Sequence, residues 1–341
     1  MALVGAPTFI IGILPTYAQI GFWAPLILIL CRCLQGFFYG AEFAGVSVHT
    51  YENFEHSGHV AKTTGFLITS GNIGAALATG LGAFFTMGCM PDQAWRIPFI
   101  LGGIAAFFVF FWRQNVLETP SFQQAKACKK IVNFPTKELW RYRREILVSL
   151  AIVSLNTVPL YLVTVFGNHM FRQFGYTPSQ SMLLNMSTLI FDSIMIIVYS
   201  SFADRVGFKL QITVGCVWMI LFAFPSFYMV SSWPSLLTIY AFMLLISTGN
   251  ALVASCTMPY ISALFPTNCR FSAVALATTM GAAFIAGNTP MAATYLIQKT
   301  GYKTAPALWL ILVVALALAG MAWIERSKKK KTHGRIDLAV A

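Results

Sequence analysis

The chain has 341 residues, of which 57% are apolar and 10% charged, and a formal net charge of +12 at pH 7. Soluble domains carry about 25% charged residues, so this composition excludes a soluble globular protein. The basic residues sit in short segments between apolar runs, a placement that membrane topology dictates and a nucleic-acid surface would not.

A helix needs about 20 mostly apolar residues to cross roughly 30 Å of hydrocarbon. In chain order the candidate spans are 2–16, 24–48, 61–88, 96–113, 146–168, 181–202, 209–230, 234–262, 272–297 and 304–324. The first is short for a span, and it lacks the basic n-region and cleavage site of a signal peptide. The pattern predicts an all-α fold, a polytopic membrane helix bundle of about ten transmembrane helices. The long charged segment 114–145 divides them four and six. Expected units are a bundle over 1–113, a cytoplasmic linker over 114–145, a six-helix bundle over 146–324 and a basic tail over 325–341.

Charge alternates from loop to loop. Segments 49–60, 114–145, 203–208, 263–271 and 325–341, with their flanks, hold 18 of the 23 Lys and Arg. The positive-inside rule makes these segments, and the C-terminal tail, cytoplasmic.

The second span carries Arg32, Gln35, Gly36, Tyr39, Gly40 and Glu42. Arg32, Gln35, Tyr39 and Glu42 follow one another by three or four residues and so form one stripe. Gly36 and Gly40, four apart, are expected to admit a neighbouring helix closely. Charges inside a span are costly and face a bundle interior or a water-filled cavity. Ten residues separate Arg32 from Glu42, roughly 15 Å of rise, so the two cannot simply neutralise each other; a packing stripe with local partners is the plainer alternative. Further polar residues within spans are Asn72, Asn156, Asp192, Asn250 and Asn288. Asp192, near the middle of its span, is a candidate proton site or a partnered structural carboxylate. Asn156 and Asn250 either face the cavity or bridge helices.

Three histidines, His49, His56 and His59, lie near Glu52 and Glu55 without a zinc signature. The seven cysteines show no disulfide framework. There is no Gly-rich nucleotide loop and no nucleophile–base constellation. No metal, cofactor or enzymatic activity is therefore expected.

With these residues in view, the chain resembles the major facilitator superfamily, in its metabolite:proton symporter branch. Arg32 to Gly40 resembles the fourth-helix motif, whose Arg the family links to proton coupling. Gly40-Ala41-Glu42 resembles the branch's Gly-Gly-Glu, and Tyr51-Glu52 the Tyr and Glu that follow. Trp95 to Phe99 and Glu118 to Phe122 resemble the sixth-helix entry and exit. Phe265-Pro266-Thr267 and Arg270-Phe271-Ser272 are similar to the loop before the eleventh helix. The family's Gly-x-x-x-Asp-Arg-x-Gly-Arg loop is matched by Ser200, Asp204, Arg205, Gly207 and Phe208, with Ser200 and Phe208 departing from it. In that loop Asp204, Arg205 and Gly207 are candidate gating residues, with an ordinary solvated turn as the alternative.

The resemblance implies that the family's first two helices would precede Met1, leaving the first bundle incomplete. It also implies alternating access and proton-driven symport of a small organic solute, an organic acid or a proline/betaine-type zwitterion. Arg32, Gln35, Tyr39, Glu42 and Asp192 are then the substrate and proton-coupling candidates. The expected partners are the solute, protons and the lipid bilayer of a bacterial inner membrane, with no nucleic acid. A transport-incompetent membrane remnant or scaffold is the rival reading. The sequence leaves the solute and the oligomeric state open.

Overall fold

The structure is a computed structural model that describes residues 2–112 and 136–340, with side chains described over 3–112 and 139–326. The segment 114–135 of the expected linker, the Glu118 to Phe122 motif and the side chains of Lys328–Lys331 lie outside the described residues.

Ten principal helices run in the predicted order: α1 (Ala2–Ile13), α2 (Trp23–Phe54), α3 (Val60–Phe85), α4 (Arg96–Trp112), α5 (Arg143–Gln173), α6 (Pro178–Val206), α7 (Phe208–Ser232), α8 (Leu236–Ser262), α9 (Thr267–Thr300) and α10 (Pro306–Val340). Eight of them, all but α1 and α4, are long and apolar enough to cross a membrane. Helices dominate because hydrocarbon offers no partner for backbone N–H and C=O groups, so each segment must satisfy its own.

Helix ends follow local chemistry. α6 begins where the Thr177 hydroxyl accepts from the Gln180 N–H and Pro178 supplies the first helical φ. It stops at Gly207, whose φ of +94° suits a residue without a Cβ and links α6 to α7 through a single position. α2 extends past the expected end of its span to Phe54, so His49–Phe54 is helix and not loop. Its 32 residues rise about 48 Å, more than the hydrocarbon thickness, and this carries Tyr51 and Glu52 beyond the apolar zone.

The short α1 is held by α4. A methyl group at Gly103 would come within 2.6 Å of Phe9 Cβ, so only glycine permits this approach. Arg96 closes the end of the pair by donating to the Gly12 and Leu14 carbonyls at 3.2 and 2.5 Å, which gives the Trp95–Phe99 motif a structural role. The most extensive helix contact joins α3 to α6, antiparallel along their whole length. Gly65 meets Ser200 at one end, Thr69 donates to the Ser193 carbonyl, and Ser179 donates to the Ala83 carbonyl at the other end. The largest buried core lies among α5, α7, α8 and α10, where Phe227 and Phe242 pack edge to face at 4.9 Å.

The ends of the helices sort by charge as the alternation predicted. Arg270 pairs with Glu52, Lys209 with Glu325, and Arg144 lies over Trp323. These contacts bring the ends of α2, α5, α7, α9 and α10 to one basic end of the bundle.

Candidate functional site

On α2 the predicted stripe forms a connected chain. Arg32 Nη1 donates to Gln35 Oε1 at 3.2 Å, and Gln35 Nε2 donates to Thr8 Oγ1 on α1 at 2.6 Å. The guanidinium also sits 5.6 Å from the centre of the Phe99 ring on α4. Gln35 thus orients Arg32, while the rest of the guanidinium fork has no hydrogen bond among the described residues. Further along, Tyr39 stacks on Phe43 and interacts electrostatically with Glu42 and with Tyr161 on α5. This end of the stripe therefore looks toward the last six helices.

The two glycines of the stripe differ. A methyl at Gly40 would come within 2.7 Å of Thr279 Oγ1, so α2 and α9 meet there. Gly36 was expected to pack likewise, but among the described residues no atom lies within 4 Å of a Cβ built on it. Four residues turn a helix by about 400°, enough to rotate Gly36 off the α2–α9 contact.

Asp192 is 1% exposed. It lies at the centre of α6 and accepts from two amides: Asn72 Nδ2 on α3 at 2.9 Å and Asn250 Nδ2 on α8 at 3.3 and 3.4 Å. Asn250 therefore bridges α8 to α6 in this structure. Asn156 on α5 is half-buried and makes no hydrogen bond among the described residues.

At the basic end, two polar contacts tie the first four helices to the last six. Asp204, at the end of α6, accepts from the backbone N–H groups of Ala61 and Lys62 at 2.8 and 3.1 Å. These are unsatisfied donors of the first turn of α3, where the helix dipole favours an anion. Arg205, the next residue, is exposed and has no partner among the described residues: a step of 100° along the helix carries it away from α3. Gly207 contributes its turn rather than a contact. The second tie is Arg270, which reaches Glu52 at 3.2 Å and Glu55 at 3.4 Å and lies 4.9 Å from the centre of the Tyr51 ring. Glu52 and Glu55 are thus committed to a guanidinium.

Toward the other end, α5 and α9 each depart from α-geometry in one wide turn, Leu162–Phe166 and Gly281–Ala286. Such turns free backbone groups and recur at functional sites. Beyond them a cavity of about 560 Å³ opens between the two helices, lined by Phe166, His169, Met291, Tyr295 and Gln298 among others. A long-range partner leaves little trace in a sequence. Thr8, Tyr161 and Thr279 carried no signal, and the roles of Asn72 and Arg270 emerge only from the fold.

The profile of the Major Facilitator Superfamily matches residues 1–287 and 147–337, essentially the whole chain. The chain belongs to the Major Facilitator Superfamily. Relatives within the superfamily include the citrate-proton symporter of Klebsiella pneumoniae, 26% identical over 96% of this chain and 74% of the symporter. The ectoine/proline transporter ProP of Corynebacterium glutamicum is 26% identical over 98% of this chain and 70% of its own length. The glycine betaine/proline/ectoine/pipecolic acid transporter OusA of Dickeya dadantii is 27% identical over 99% of this chain and 70% of its own length. Membership agrees with the all-helical fold, makes the chain an integral membrane protein and assigns it transport rather than enzymatic chemistry.

Proposed function

We propose that this chain is a secondary active transporter that carries a small carboxylated organic solute together with protons by alternating access. The observation that carries the reading is the pair of breakable polar ties at the basic end, Arg270 to Glu52 and Glu55 across the α2–α9 contact and Asp204 to the start of α3, which join the two helix groups there. Such ties can open and reform as two bundles rock about a midplane site. The bundles are 1–113 and 146–324, linked through 114–145, with the tail 325–341 on the basic side.

The basic end is the cytoplasmic one by the positive-inside rule, which makes this conformation closed to the cytoplasm. The bacterial relatives favour the inner membrane as its location. Citrate, proline, betaine, ectoine and pipecolic acid all bear a carboxylate, and Arg32 offers a planar fork suited to one. Gln35 holds that fork in place, Tyr39 extends the polar surface toward α5, and Glu42 and Asp192 are the acids available to a proton.

Uptake of a panel of organic acids and betaines into proteoliposomes under an imposed pH gradient tests the reading. Accumulation that needs the gradient supports it, and Glu42→Gln is expected to lose accumulation while retaining exchange. No gradient-dependent uptake of any member would reject it.

A further inference from the structure

The amides around Asp192 are unlike the partners that a purely structural carboxylate needs. The charged and titratable groups on the helices packed against α6 include Lys62 on α3, His169 and Arg172 on α5, Lys209 and Cys216 on α7, and Cys256 on α8. None interacts with the carboxyl group, whose partners are Asn72 and Asn250. A charge buried there is offset by no cation among the described residues, which is costly. An amide, unlike a cation, serves either protonation state, because its NH₂ donates to a carboxylate and its oxygen accepts from a carboxyl O–H.

Asn250 carries a second sign. Its Nδ2 spreads two long bonds over both carboxylate oxygens, while its buried Oδ1 has no hydrogen-bond partner among the described residues. A buried acceptor left unpaired is costly. A proton on Asp192 supplies the missing donor: the amide turns over and Oδ1 accepts from the carboxyl O–H. Asn72 stands differently. It comes from α3, in the first group of helices, whereas Asp192 and Asn250 belong to the second. Its 2.9 Å bond is thus a tie between the groups, strong to a carboxylate and weaker to a neutral carboxyl.

We propose that Asn72, Asp192 and Asn250 form a proton-reading joint between the two helix groups, in which protonation of Asp192 loosens the α3–α6 contact and so releases the closed basic end. By linkage, a geometry that holds the ionised form more tightly is loosened by protonation to the same extent. The proposal rests on the symport reading and adds to it the residues through which the proton acts on conformation.

The test reads closure directly and needs no substrate. Backbone N–H groups of Ala61 and Lys62 are held by Asp204 in this conformation, so faster hydrogen exchange there in the reconstituted protein is the expected report of opening. Wild type and Asp192→Asn, which is neutral at every pH, are compared at each pH so that intrinsic exchange cancels. The variant is expected to exchange about fivefold faster at high pH, the difference between a charged and a neutral hydrogen bond, and to converge with wild type as pH falls. Asn72→Leu keeps the carboxyl and should abolish most of the pH-dependent difference. It should also retain an infrared C=O band of a titrating buried carboxyl, which Asp192→Asn loses. If exchange in Asp192→Asn parallels wild type at all pH values, or no such band titrates, the joint is overturned. Gradient-driven uptake in the same vesicles would leave the symport reading standing.

Discussion

Arg270 at the start of α9 and Glu52 near the end of α2 form an ion pair at 3.2 Å, with both side chains almost completely buried, 218 positions apart in sequence. Glu55 and the Tyr51 ring complete the enclosure. Removing one partner of such a pair leaves a buried charge uncompensated, which costs about 3–5 kcal/mol. Arg270→Ala should therefore open the basic end and lower the melting temperature in detergent. In a double-mutant cycle, Glu52→Gln added to Arg270→Ala should cost less than it does alone. Strictly additive effects would mean that the pair does not hold the halves together.

Asp204 and Arg205 are neighbours with different fates. Asp204→Asn removes an anion from the first turn of α3, a loss of about 0.5–2 kcal/mol. Hydrogen exchange at Ala61 and Lys62 should rise. Arg205→Ala should leave it unchanged, since the side chain has no partner among the described residues. Equal effects of the two substitutions would contradict the assignment of the latch to Asp204.

Where the family pattern has glycine, this chain has Ser200, and the glycine is found opposite, at Gly65. A Cβ there would lie 2.5 Å from that of Ser200. Gly65→Ala should destabilise the α3–α6 contact by about 1–3 kcal/mol, the cost of overpacking. Ser200→Gly in the same chain should recover most of the loss, as thermal stability in detergent would show.

The two glycines of the α2 stripe separate in the same way. Gly40→Ala drives a methyl to 2.7 Å from Thr279 Oγ1, whereas Gly36→Ala meets nothing within 4 Å. Gly36→Ala should express and fold like wild type, and Gly40→Ala should yield less folded protein by size-exclusion chromatography.

Much of this architecture was legible in the sequence because the bilayer imposes it. Apolar run length and the alternation of basic loops predicted ten helices in their places and one basic end. The polar stripe from Arg32 to Glu42 was legible too, since three- and four-residue spacing fixes a helix face. The end of α2 was not: His49–Phe54 is polar and reads as loop, yet it continues the helix because Glu52 and Glu55 find Arg270. Gly36 and Gly40 share a face in projection, but only the neighbouring helix decides which of them it touches. Asp192 stood out as an acid within a span. Its partner Asn72 lies 120 residues away, and no local pattern announces such a contact.

Proton movement with solute is the most direct test of the central claim. Wild-type protein is reconstituted in vesicles with equal pH on both sides, and a carboxylated solute is added outside while external pH is followed. Solute entry with protons must alkalinise the outer medium, an uncoupler must abolish the signal, and Arg32→Lys must raise the solute concentration needed because the bidentate fork is lost. Solute entry without any change in external pH, or an Arg32→Lys variant with unaltered affinity for every carboxylated solute, would contradict the account.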